Sequence, residues 1–331
     1  MRLLVCGGAG FIGSAFARIR ARDHGDEIVV LDKLTYAGRR ESLRDVEHVF
    51  VHGAIEDPAA VASAIEGADA VVNFAAETHV DRSIAEPDAF VRTQMDGTYV
   101  LLEAARERGL RYVQVSTDEV YGSIEEGSFT EDSPLRPSSP YSATKAGADL
   151  LVGSYAHTYG LEAVICRGSN AYGPYQYPEK LIPLMVLNAL HGDALPVYGD
   201  GMQVRNWLYV EDFARGIGHA LEHGAPGEAY NVGGPDERPN LEVVRRIVAL
   251  TGADEDLLEH VPDRPGHDRR YSLGSERIRA LGWEPRVRFD EGLERTVAWY
   301  RDNAWWWEPI RSGAYRAYYE RQYGRALRPA G

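Results

Sequence analysis

Tyr141 and Lys145 stand four residues apart, just after Ser138, Ser139 and Pro140, in a stretch that reads as the start of a helix. A spacing of four places the phenol and the ammonium on one helical face. A phenol titrates near about 10 in water, so on its own it is a poor base at neutral pH. A nearby positive charge stabilises the phenolate and makes it a usable base for a sugar hydroxyl. A second constellation is Ser116-Thr117-Asp118-Glu119, at the end of a predicted strand. Adjacent carboxylates in different surroundings can leave one protonated and one ionised, which elimination of water requires.

A third constellation is Gly7, Gly8, Gly10 and Gly13, between the apolar run Leu3–Cys6 and an apparent helix. Backbone without side chains can approach a pyrophosphate, and the helix N-terminus offers oriented N–H groups. A second predicted strand ends at Leu31, and Asp32 follows it, 19 residues after Gly13. That is close to the ~20 expected for the carboxylate that binds an adenosine ribose. A carboxylate there repels a 2′-phosphate, so NAD is expected rather than NADP.

The elements that must carry these groups alternate. Apolar runs at Leu3–Cys6, Ile28–Leu31, Val49–Val51, Ala70–Phe74, Val113–Ser116 and Ala163–Arg167 read as strands buried on both faces. Helical spacing between them, as in Pro58–Ile65 and Gly97–Arg108, predicts an α/β fold with a Rossmann-like doubly wound parallel sheet. After Arg167 the chain becomes rich in Pro, Tyr and Gly, which predicts a smaller, loop-rich α/β substrate lobe. The expected division is residues 1–170 plus about 205–233 for the NAD-binding domain, and about 171–204 plus 234–323 for the substrate lobe. The aromatic C-terminus, Trp299 to Tyr323, is expected to pack as a terminal helix on that lobe.

Composition narrows the partners. The 331 residues carry 36 Lys and Arg against 50 Asp and Glu, a net charge of −14, which argues against general nucleic-acid binding. Two cysteines, Cys6 and Cys166, rule out a disulfide scaffold and a Cys-x-x-Cys zinc site; no metal is expected. No apolar stretch approaches the ~20 residues that span a bilayer, and no targeting signal is evident, so a cytoplasmic protein without membrane contact is expected.

Gly7–Gly13, Asp32, Tyr141 and Lys145 resemble the extended short-chain dehydrogenase/reductase family. Asp32–Gly38, Ala75–Ser83, Ser116–Gly122, Gly173–Gln176, Pro178–Pro183 and Arg264–Tyr271 are similar to the branch of that family that dehydrates dTDP-glucose at C4–C6. The resemblance implies a lyase that retains and recycles NAD and makes a 4-keto-6-deoxy sugar nucleotide. It implies Tyr141, with Lys145, as the base at the C4 hydroxyl, and Thr117 as a partner of the C4 oxygen. Glu119 would take the C5 proton and Asp118 protonate the departing C6 hydroxyl.

The same resemblance assigns Gly7, Gly10, Phe11, Ile12, Gly13, Asp32, Lys33, Leu34, Thr35, Ala54, Ile55, Phe74, Ala75, Ala76, Thr93 and Ala171 to the cofactor, with Tyr141 and Lys145. It assigns Arg205, Asn170 and Arg264 to the diphosphate, and Thr78 to the sugar. Glu179, Lys180, Leu181, Pro196, Tyr198, Asn240 and His267 complete the substrate set. Ala54, Gln94 and Ala171 depart from the residues usual at their positions, which implies a looser hold on NAD. The implied assembly is a homodimer whose four-helix bundle comes from the helices around Gly97–Arg108 and Ser142–Tyr159. Action on a UDP-sugar, 4-epimerisation, and sugar-nucleotide binding without catalysis are the alternatives. Asp118 with Glu119 argues against epimerisation.

Overall fold

The computed structural model describes residues 1–263, 266–312, 314–324 and 327. Seven strands form one all-parallel sheet: β1 (Arg2–Cys6), β2 (Glu27–Asp32), β3 (His48–His52), β4 (Ala70–Asn73), β5 (Arg111–Thr117), β6 (Ala163–Gly168) and β10 (Ala229–Val232). Their order is β10-β6-β5-β4-β1-β2-β3. All six runs read as strands lie in this sheet, and β10 is a seventh that the sequence reading did not name. Its strands are short, but Leu3, Leu4, Val5, Cys6, Val71 and Val72 are fully buried, as a sheet covered on both faces requires.

One apolar core covers one face. There Phe16 and Ile19 of the Phe11–Ile19 helix meet Phe213, Ile217 and Leu221 of the Val210–His223 helix. A second core covers the other face, where Leu101 and Leu102 of the Gly97–Arg108 helix meet Val152 and Tyr155 of the Pro140–Tyr159 helix. The chain order reverses direction at β1 and β4, the crevice where ligands of doubly wound sheets bind.

The rest of the chain builds a separate core. A three-stranded sheet of β11 (Asp236–Pro239), β9 (Val204–Tyr209) and β7 (Asn170–Tyr172) stands beside a two-stranded pair of β12 (Leu258–Val261) and β8 (Leu195–Tyr198). The helices Leu181–His191, Asn240–Thr251 and Phe289–Asp302 pack on them. Trp306, Trp307, Tyr315 and Tyr319 are buried in this core, so the aromatic C-terminus packs as expected. It also reaches the connection between β2 and β3: Trp306 donates to Ser42 at 3.3 Å, and the Arg44 guanidinium lies 4.4 Å from the Trp305 ring.

Candidate active site

The loop after β1 lies at the crevice. Gly7 has φ +73°, and a Cβ there would stand 2.6 Å from the Ala75 backbone nitrogen, so only glycine lets the loops after β1 and β4 touch. A Cβ at Gly13 would stand 2.4 Å from the Gly7 carbonyl oxygen, which fixes how closely the Phe11–Ile19 helix approaches the loop. Gly10 caps that helix and is different: a Cβ there would meet only the Gly7 oxygen, at 3.2 Å, and otherwise open space. The loop and helix N-terminus thus present bare backbone to the cleft, a cradle suited to a pyrophosphate.

Asp32 ends β2. Its Oδ2 accepts from the Ala9 N–H at 3.0 Å and its Oδ1 from the Leu34 N–H at 2.8 Å. Leu34 holds a left-handed φ of +53° to make that turn. Burial pushes the Asp32 carboxyl up, and the two N–H groups pull it back. Lys33 Nζ donates to Thr93 at 2.9 Å and pairs with Glu56 at 3.1 Å and Glu77 at 3.5 Å.

Pro140 opens the helix that carries Tyr141 and Lys145. Ser139 and Ser142 cap it reciprocally: each side-chain oxygen accepts from the other's backbone N–H, at 3.1 and 3.0 Å. Both functional side chains are buried. Lys145 Nζ donates to the Val115 carbonyl at 2.6 Å, and burial lowers its pKa to about 8, with Asp149 opposing. Burial, then the charges of Glu119, Asp118 and Asp149, hold the Tyr141 phenol above its ordinary range, while the Thr117 hydroxyl works the other way.

Thr117 ends β5, and Asp118 opens the tight helical turn Asp118–Tyr121. Thr117 Oγ1 donates to Asp118 Oδ1 at 3.2 Å and accepts from the Glu119 N–H at 3.3 Å. Burial, reinforced by the Glu119 charge, raises Asp118 to about 8, with Arg205 and Thr117 opposing. The buried Asp118 Oδ2 has no hydrogen-bond partner among the described residues. A buried aspartic acid of this kind is protonated at neutral pH and can donate.

These groups meet in one cleft. All five expected catalytic residues line it. So do Gly7, Gly10, Phe11, Ile12, Gly13, Asp32, Lys33, Thr35, Ile55, Phe74, Ala75, Ala76, Thr93 and Ala171 of the expected cofactor set; Leu34 and Ala54 do not. Of the expected substrate residues, Thr78, Asn170 and Lys180 line it, and Lys180 Nζ donates to the Thr78 carbonyl at 2.5 Å.

The other described members of that set stand outside the lining. The Glu179 carboxylate is buried, accepting from Tyr36 at 2.8 Å and from Arg82 at 3.2 Å. Arg205 donates to the carbonyls of Val204 and Asp268 at 2.8 and 2.9 Å, with its guanidinium 4.3 Å from the Tyr271 ring. Pro196 and Tyr198 lie on β8, the His267 ring meets Tyr198 edge-on at 6.1 Å, and Leu181 and Asn240 start helices. Arg264 lies outside the described residues. The cleft also holds Ser116, Ser169, Tyr36, Glu77, Gln176, Tyr177 and Phe213, which the sequence reading gave no role. Tyr36 and Glu77 fall inside stretches that carried the resemblance. Gln176 ends another, whereas Phe213 is brought in only by the packing of its ring on Gly168.

A parallel sheet with a glycine cradle at its crevice and a Tyr–Lys pair beside it defines a Rossmann-type enzyme of the extended short-chain dehydrogenase/reductase class. The chain belongs to the family whose sequence model is described as GDP-mannose 4,6-dehydratase, matched over residues 4–296. It is 52% identical over 323 residues to dTDP-glucose 4,6-dehydratase of Streptomyces niveus, covering 94% of this chain and 96% of that one. It is 48% identical over 357 residues to dTDP-glucose 4,6-dehydratase 1 of Escherichia coli, covering 98% and 99%. The structure of DesIV, a dTDP-glucose 4,6-dehydratase from Streptomyces venezuelae with NAD and TYD bound, superposes with a TM-score of 0.92 at 52% identity, covering 94% of this chain and all of that one.

Proposed function

We propose that the chain is an NAD-dependent hydro-lyase that converts dTDP-D-glucose to dTDP-4-keto-6-deoxy-D-glucose. The observation that carries the reading is the burial of Asp118 beside Glu119 on the cleft that Tyr141 and Lys145 line. A carboxylic acid kept protonated beside Glu119 opens on the same cleft as Tyr141 and Lys145. Epimerisation at C4 needs no such acid; loss of a C6 hydroxyl does.

The cradle of Gly7, Gly10 and Gly13, with Asp32 at the end of β2, fits NAD. When bound, NAD supplies a hydride acceptor at C4 and returns the hydride at C6. Tyr141 accepts the C4 hydroxyl proton. Buried among carboxylates, its phenol needs positive charge nearby to ionise, so it is competent only with the oxidised cofactor in place and Lys145 charged. Thr117 hydrogen-bonds the C4 oxygen. Glu119 takes the C5 proton, made acidic by the 4-ketone, and Asp118 protonates the leaving hydroxyl at C6, releasing water. Glu119 exchanges that proton with solvent and then reprotonates C5 as the hydride reaches C6, so the cofactor ends oxidised.

Asn170, Lys180 and Thr78 supply substrate contacts at the cleft. Arg205, Glu179, Leu181, Pro196, Tyr198, Asn240, Arg264 and His267 form the diphosphate and base end. Residues 1–170 plus about 205–233 act as the cofactor half, and 171–204 plus 234–323 as the substrate half. The protein works in the cytoplasm as a homodimer through the Gly97–Arg108 and Pro140–Tyr159 helices. The exposed Tyr99, Leu150 and Tyr159 on those helices support that reading. Incubation with dTDP-glucose in deuterated water, followed by NMR, tests the function. A 4-keto-6-deoxy product with deuterium at C5 is expected; no product from dTDP-glucose, but turnover of UDP-glucose, would overturn the choice of nucleotide.

A further inference from the structure

We propose that Arg167, with Asp149 and Tyr121, is a positioning unit that ties the Tyr141–Lys145 helix to the Asp118–Glu119 turn and so couples sugar oxidation to elimination. None of the three lines the cleft, and the proposal rests on the reaction assigned above.

The two halves of the chemistry sit on different elements. Tyr141 and Lys145 project from the Pro140–Tyr159 helix, and Asp149 continues their face at the next spacing of four. Asp118 and Glu119 sit on the turn that ends at Tyr121. Arg167, on β6, pairs in register with Ser116 at the end of β5. Its guanidinium reaches both elements. Nε donates to Asp149 Oδ2 at 2.8 Å, and one terminal nitrogen donates to the Tyr121 hydroxyl at 2.8 Å. That hydroxyl donates in turn to Asn231 Oδ1 at 2.8 Å, which anchors the turn to β10. The guanidinium also lies 5.0 Å from the centre of the Tyr121 ring, which stacks on Phe129.

All three side chains are buried, so water does not stand in for a missing link. The guanidinium is a planar fork with fixed donor directions, which sets the separation of its two partners. A short flexible ammonium does not. The geometry therefore assigns Arg167 the task of holding the acid–base pair at the distance at which the C5 proton and C6 hydroxyl can be reached while C4 stays at Tyr141.

The variants Tyr121→Phe and Arg167→Lys test this. Both keep the buried volume close to native. With dTDP-glucose and the holoenzyme, reduced nicotinamide read at steady state should rise about tenfold over wild type in Tyr121→Phe, because oxidation continues while elimination slows. Amide exchange should quicken over residues 118–122 and stay native in β1 to β4. Arg167→Lys should show the same two effects. An unchanged level of reduced nicotinamide, or exchange raised evenly along the chain, would overturn the proposal and leave Arg167 a purely structural residue. Failure of the underlying reading is distinct: wild type would then give no 4-keto-6-deoxy product.

Discussion

In the proposed reaction, Asp118 and Lys145 set the alkaline limit. Asp118 must be protonated to donate, and its raised pKa of about 8 gives that below about 8. Lys145, lowered to about 8, is charged over the same range. Both conditions fail as pH rises through 8, so kcat measured against pH should fall on that side; a profile flat to pH 10 would contradict the assignment. Asp118→Asn keeps the shape and loses the proton, so elimination should slow about 10²–10⁴-fold while reduced nicotinamide builds up at 340 nm. Tyr141→Phe should instead stop oxidation, with no reduced nicotinamide formed and bound NAD retained. These residues were legible in the sequence because each motif is local. The partners of Glu179 were not: Tyr36 lies 143 residues away and Arg82 lies 97 away. No spacing rule reaches that far, and the resemblance alone could not tell that the carboxylate faces them rather than the cleft lining.

At the scale of elements, the glycines of the first loop do different work. Gly13→Ala would drive a Cβ to 2.4 Å from the Gly7 oxygen, so the Phe11–Ile19 helix must move. A lower melting temperature and loss of bound NAD are expected together. Gly10→Ala meets only one atom, at 3.2 Å, and points otherwise into open space. It should melt near wild type yet bind NAD about tenfold more weakly by calorimetry; undiminished affinity would move the pyrophosphate elsewhere. Six of the seven main strands were readable as near-continuous apolar runs. The seventh, β10, is Ala229–Val232, four residues broken by Asn231, too short and polar to stand out. Val204–Tyr209 spans the expected boundary near residue 205 and pairs with β7 and β11, because register in a small sheet depends on partners that periodicity does not reveal.

At the scale of the molecule, the two cores of the large sheet and the separate third core meet around one cleft, and the aromatic C-terminus packs in the third. The outer face of the Gly97–Arg108 and Pro140–Tyr159 helices leaves Tyr99, Leu150 and Tyr159 about half or more exposed. Light scattering should give twice 36.7 kDa, and Leu150→Glu should give the monomer; a wild-type monomer would contradict the proposed bundle. The central claim is a closed redox cycle in which one hydride leaves C4 and returns to the same sugar at C6. Substrate carrying deuterium at C4, turned over in ordinary water with unlabelled NAD, tests it most directly. NMR of the product should find the deuterium at C6. Deuterium lost to solvent or kept at C4 would contradict the account.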